Sequence, residues 1–196
     1  MEVEGRMKEQ FRQYILELYK DVPLSVYEGL VSIILLGAVI LIVVCGIKKG
    51  LRYSAGLLLV EYVFLLFCST VFFRAYSETR GHNFIPFWSY ERQDLLIENI
   101  MNVVVFVPVG IILGFMVNDL RSQNGSWLKA KGSWLIALLM GMGISISIET
   151  MQYFFHRGFA EVDDVMHNTV GCILGYILVQ GSRLMVHGFQ KLRNQL

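Results

Sequence analysis

Three long apolar runs dominate the chain: Val26–Ile47, Tyr53–Phe73 and Ser133–Phe155, of 22, 21 and 23 residues, each with a single charged side chain, Glu28, Glu61 and Glu149 in turn. A bilayer core about 30 Å thick is crossed by roughly 20 helical residues. Inside it the backbone must satisfy its own N–H and C=O groups, so runs of this kind become membrane-spanning helices. Two less uniform stretches follow the same logic. Ile100–Val117 has 18 residues and is interrupted by Asn102 and Pro108, while Val165–Val186 carries His167, Asn168, Gln180 and Arg183. The expected fold is an all-α membrane protein, a bundle of about five transmembrane helices. Charged residues are 17% of the 196, against about 25% in ordinary soluble domains. A formal net charge of +1 offers no basic stripe for nucleic acid, and the 55% apolar content excludes a disordered chain.

Residues 1–24 differ in kind. Phe11, Ile15, Leu18 and Val22 recur at helical spacing, and Glu9, Arg12, Glu17 and Lys20 fall mostly elsewhere. This predicts an N-terminal amphipathic helix lying on the membrane surface, ended by Pro23. The segment lacks the apolar core and small-residue cleavage site of a signal peptide. The expected organisation is therefore the amphipathic helix over 1–24, two spans over 25–73, a core with three further spans over 74–186, and a C-terminal tail over 187–196. Cys45, Cys68 and Cys172 are odd in number and lie apart inside apolar spans, which predicts packing residues rather than disulfides or zinc ligands. Lys48, Lys49 and Arg52 crowd one short turn. The preference of such turns for the inner face favours an outside N-terminus and an inside C-terminus. In either orientation, the long loop after the second span and the short loop after the fourth share one membrane face.

Polar residues concentrate at that face. Ser145, Glu149, Gln152 and His156 are spaced i, i+4, i+7 and i+11, along one face of the fourth span. Asp164, Asn168, Gly171 and Gly175 repeat the spacing in the fifth, and the third offers Asn99, Asn102 and Phe106, followed by Pro108, Gly110 and Gly114. Glycines four apart let membrane helices approach closely. Pro108 lacks an N–H, so it frees a carbonyl near Val104 that lines a cavity or bends the helix. Ionisable groups inside a bilayer are costly and usually functional. Glu149 is thus the leading candidate, either in a ligand site or in a structural clamp with Arg74, Arg80 or Arg157.

The segments Asn83-Phe84-Ile85-Pro86-Phe87, Asn102-xxx-Phe106-x-Pro108-x-Gly110, Ser145-xxx-Glu149-xx-Gln152, and Arg157 with Asp163-Asp164-xxx-Asn168-xx-Gly171-xxx-Gly175-Tyr176 resemble the signature of the VanZ-like family. The resemblance runs from about Arg74 to Leu178. It implies a multi-span protein of the bacterial cell membrane, with a role in low-level resistance to teicoplanin-like glycopeptide antibiotics. Carried over residue by residue, the pattern falls on Arg80, Asn83, Pro86 and Phe87 in the long loop and on Asn102, Phe106, Pro108 and Gly110 in the third span. It then falls on Glu149 and Gln152 in the fourth span, and on Arg157, Asp163, Asp164 and Asn168 around the last loop.

Two classes of function fit these residues. In the first, an anionic and amide-rich site binds an amphiphile, such as a glycopeptide antibiotic or a cell-wall lipid precursor, among the membrane lipids. Glu149, Asp163 and Asp164 attract its cationic part, Asn102, Gln152 and Asn168 hydrogen-bond it, and Arg80, Asn83 and Arg157 complete the binding set. In the second, an intramembrane enzyme uses Glu149 as general base, Asp164 as its ionised partner and Arg157 or Arg80 to stabilise negative charge. No nucleophile elbow or P-loop accompanies it. His82 and His156 lie near the carboxylates, but no His-xxx-His or cysteine pair points to a metal. Neither a metal nor a cofactor is expected. The loop at Asn83–Phe87 is either seated among headgroups by Phe84, Phe87, Trp88 and Tyr90 or folded as a lid over the site.

Overall fold

The apolar runs fold as helices joined at one end by a compact polar layer. The computed structural model describes residues 51–78, 81–124 and 133–193, with scattered positions before Leu51. The expected amphipathic helix and the Val26–Ile47 span lie outside the described residues, as do Lys48, Lys49 and Arg80. Helix α1 covers Leu51–Phe67 and widens into a π-helical turn at Cys68–Phe72. Strand β1, Gly81–Asn83, and two short 3-10 turns at Trp88–Glu91 and Gln93–Leu95 lead into α2, Leu96–Asn124. Helix α3 spans Ser133–Phe155, β2 spans Phe159–Glu161, and α4 runs from Val162 to Arg193.

Among the described residues, four segments, Tyr53–Phe72, Leu96–Val117, Trp134–Phe155 and Val162–Val186, are long and apolar enough to cross a membrane. The chain is an all-α membrane protein with one small sheet. The boundaries shift from the sequence expectation in a regular way. Helix α2 starts at Leu96 and continues beyond its apolar part to Asn124, and α4 continues as helix through most of the expected tail. Hydropathy marks the part of a helix that sits in lipid, and hydrogen bonding carries the helix on into water.

Helix α4 packs chiefly on α2 and next on α3, and α1 packs on α2. The α2–α4 seam is a backbone contact. A Cβ placed at Gly110 would collide with the Cys172 carbonyl, one at Gly171 with the Val103 carbonyl, and one at Gly175 with the Val107 carbonyl. Lipid offers no hydrophobic drive between helices, so close approach of small residues supplies the packing. Phe106, Val109, Ile148, Cys172 and Tyr176 fill the buried core around this seam. Pro108 sits inside α2 without ending it. Its missing N–H loosens the ladder at the preceding turn, and there Tyr62 of α1 donates its hydroxyl to the Val105 carbonyl at 2.8 Å.

At the polar end, β1 and β2 pair in parallel, with His82 opposite Ala160 and Asn83 opposite Glu161. The pairing joins the long loop to the α3–α4 turn, so both lie at one membrane face, as loop parity requires. The turn is tight. His156 takes a left-handed conformation (φ 56°), and Arg157 donates its N–H to the Gln152 carbonyl at 2.9 Å, the bond pattern of a Schellman cap. Gly158 (φ 154°) then reverses the chain into β2.

Candidate functional site

The first turn of α4 organises the loop above it. Asp163 accepts hydrogen bonds from the Phe87 N–H at 2.6 Å, the Ser89 N–H at 2.9 Å and the Ser89 hydroxyl at 2.6 Å. Asn99 adds its amide to the Ser89 oxygen at 3.2 Å. Phe87 is held left-handed (φ 67°), a backbone state that is uncommon for a residue with a Cβ. Asp163 is 1% exposed and both its oxygens are taken, so it fastens the loop. Beside it, the Tyr90 hydroxyl meets His167 Nε2 at 2.8 Å, and Asn83 accepts the Ile85 N–H at 2.9 Å in a local turn.

The predicted polar stripes meet one another. Asn102 donates to Asp164 at 2.7 Å, joining α2 to α4, and Asn168 donates to Ser145 Oγ at 2.8 Å, joining α4 to α3. Gln152 donates to the Thr70 carbonyl at 2.9 Å. That carbonyl lies in the last turn of its helix, where carbonyls lack an intrahelical partner. Arg157 donates to the Arg74 carbonyl at 2.8 Å, and the Arg74 guanidinium pairs with Glu98 at 3.3 Å. The expected clamp between Glu149 and Arg74 is not formed: Arg74 pairs with Glu98.

Glu149 is different. It is 7% exposed, and Oε2 accepts the Glu161 N–H at 3.0 Å, the amide that begins the step from β2 into α4. Its side chain lines a cavity of about 400 Å³, together with Glu161, His82, Tyr153, Phe84 and Val165. Of the nine sequence-predicted binding residues, eight are described, and of these Glu149 is the one on this cavity wall. Asn102, Gln152, Asp163, Asp164, Asn168 and Arg157 form the layer that supports it, and Asn83 lies in the β1 strand beside it. Arg80 lies outside the described residues.

Glu161 was not among the candidates. Its Oε2 accepts the Trp88 indole N–H at 3.0 Å. Burial lifts its carboxyl from the usual 4.5 to about 7, with Glu98 and Asp163 adding to the rise and the Trp88 hydrogen bond and Arg74 opposing it. A signal existed in the sequence: a further carboxylate two residues before Asp163, in the loop that parity had placed on the polar face. Because folding raises this pKa, the group's contribution to stability is complete below 4.5 and is lost as pH rises through about 7. Trp88 reports it directly. With Trp127 and Trp134 replaced by phenylalanine, Trp88 emission is expected to titrate with a midpoint near 7, and Glu161→Gln is expected to abolish the transition. A flat profile in the parent protein would refute this ionisation.

Among the described residues, no group of three or more His, Cys, Asp or Glu side chains is arranged to hold a metal ion. What the site offers chemically is a buried carboxyl, Glu149, beside a half-buried one, Glu161, both lining a largely apolar cavity, with Arg74 engaged by Glu98. A family model described as VanZ/LLP1 matches residues 56–185 of the chain. No curated protein and no solved structure matches it.

Proposed function

Because the chain belongs to the VanZ/LLP1 family, we propose that it acts in low-level resistance to teicoplanin-like glycopeptide antibiotics by binding an amphiphile or a cell-wall lipid component at its polar intramembrane site. It works in the bacterial cell membrane, among membrane lipids. The observation that carries this reading is the cavity itself, a recess with Glu149 and Glu161 at its base and Phe84, Ile146, Val162 and Val165 on its walls. Ligand pockets have this character, mostly apolar with a few convergent polar groups. The enzymatic alternative, with Glu149 as general base, asks Arg157 to stabilise negative charge. One Arg157 guanidinium nitrogen is committed to the Arg74 carbonyl, which favours binding over catalysis.

The test is antibiotic susceptibility at matched membrane levels of protein. Glu149→Gln keeps the size and the hydrogen-bond acceptor but removes the charge, so it is expected to return teicoplanin susceptibility to that of cells without the protein. The conservative Glu149→Asp is expected to retain part of the resistance. Full resistance in Glu149→Gln would refute the proposal.

A further inference from the structure

We infer that the cavity binds the ammonium group of a membrane-resident alkyl amine, which enters sideways from the bilayer. The inference rests on the polar face being a binding site and names the chemistry of what binds there. Glu149 Oε2 is held by the Glu161 N–H, and no other hydrogen bond or ion pair among the described residues reaches this buried side chain. The second oxygen is therefore left to whatever occupies the cavity. Glu161 stands beside it, and among the described residues the cation that acts on both, Arg74, is paired with Glu98. An ammonium brings three N–H donors and a positive charge into this low-dielectric floor, where charge-assisted bonds are strongest. Phosphate or carboxylate headgroups would meet like charge.

The walls say where the rest of the molecule goes. Ile146 lies about one turn deeper in the membrane-crossing part of α3 than Glu149, lines the cavity and is 47% exposed. Val165 lines the cavity from α4, and Phe84 covers it from the loop while remaining 67% exposed. An apolar, exposed wall at membrane depth opens onto acyl chains. An amine seated between Glu149 and Glu161 would thus send its alkyl chain past Ile146 and Val165 into lipid. A lipid headgroup amine and the amine of an acylated antibiotic share this chemistry.

Full-length protein in phosphatidylcholine nanodiscs can be titrated with dodecylammonium, dodecanol and propylammonium, with binding to empty nanodiscs subtracted. Dodecylammonium is expected to bind about tenfold or more tightly than either of the others. Glu149→Gln and, separately, Glu161→Gln are each expected to remove that preference in protein that still unfolds cooperatively. Competition by phosphatidylethanolamine in the nanodisc would support the inference with a lipid headgroup as the source, and competition by teicoplanin would support it with the antibiotic as the source. Equal affinity for dodecylammonium and dodecanol would overturn it, as would a preference that survives both substitutions. Selective ammonium binding with full resistance in Glu149→Gln would keep this inference and discard the resistance role. Lost resistance without ammonium selectivity would do the reverse.

Discussion

Gly171→Leu is expected to prevent α4 from seating on α2 and to cause a severe loss of folded protein. At this position even a Cβ would overlap the Val103 carbonyl and press on the Phe106 Cβ. The obstacle is helix backbone, which cannot swing aside as a flexible side chain can. Overpacking in a core usually costs about 1–3 kcal/mol and occasionally more, and rigid backbone on both sides puts this site at the upper end. The α2–α4 seam also holds Asn102 against Asp164, so separating the helices unpairs a buried carboxylate as well. Thermal unfolding of purified protein and yield from membranes measure the effect. Gly143→Leu is the matched control, because a Cβ at Gly143 meets nothing within 4 Å, and it is expected to melt like the parent. Equal melting of the two variants would show that the seam is not held by close backbone approach.

Asp163→Ala is expected to release the loop from the bundle. The substitution removes one acceptor group that serves two backbone amides and a hydroxyl, and it leaves the buried Ser89 with Asn99 as its remaining side-chain partner. Hydrogen bonds to a charged group contribute about 1.5–3 kcal/mol each, and a buried donor left unsatisfied adds its desolvation cost. A total on the order of 3 kcal/mol follows, since solvent will reach part of the opened loop. The left-handed Phe87 has no reason to persist once its amide is unbound. With Ser89→Cys introduced in a background without the native cysteines, the new thiol is expected to react with a soluble thiol reagent far faster in the Asp163→Ala protein. Asp163→Asn, which keeps an acceptor oxygen but turns donors toward the same amides, is expected to fall between. Unchanged reactivity at position 89 would mean that the loop is held by something other than Asp163.

Helical spacing marked Gly171, and the family resemblance marked Asp163. The spacing of Gly110, Gly171 and Gly175 was enough to predict close helix packing, because helical periodicity and small side chains leave few other readings. The polar stripes were equally legible: Ser145, Glu149, Gln152, Asp164, Asn168 and Asn102 do meet at one end of the bundle, as periodicity and loop parity required. Their roles could not be read the same way. Whether a carboxylate faces a cavity or fastens a loop depends on partners far away in sequence, and Asp163 spends its oxygens on amides 74 and 76 residues distant. The β1–β2 pair escaped notice for a related reason. Three residues at Gly81–Asn83 and three at Phe159–Glu161 are too few to show a period-two pattern. Only loop parity indicated that the two segments share a face. With the strand pair unseen, Glu161 was marked only by its place two residues before Asp163, and nothing in the sequence tied its amide to Glu149.

The ionisation of Glu161 links the fold to the proposed ligand. A carboxyl with a pKa lifted to about 7 is partly protonated at neutral pH, and an ammonium placed against it would draw the proton off. Binding of the amine should therefore strengthen as pH rises through that value, with burial, Glu98, the Trp88 indole, Asp163 and Arg74 setting where the change falls.

The most direct measurement of the central claim is a crystal structure of the full-length protein grown in a lipid phase with an ω-bromoalkylammonium, using the anomalous signal of bromine to trace the chain. Ammonium density is expected within hydrogen-bond distance of Glu149 and Glu161, with a bromine peak outside the protein on the lipid side of Ile146 and Val165. Saturating amine with that cavity empty, or bound in the reverse sense with bromine beside Glu149, would contradict the claim.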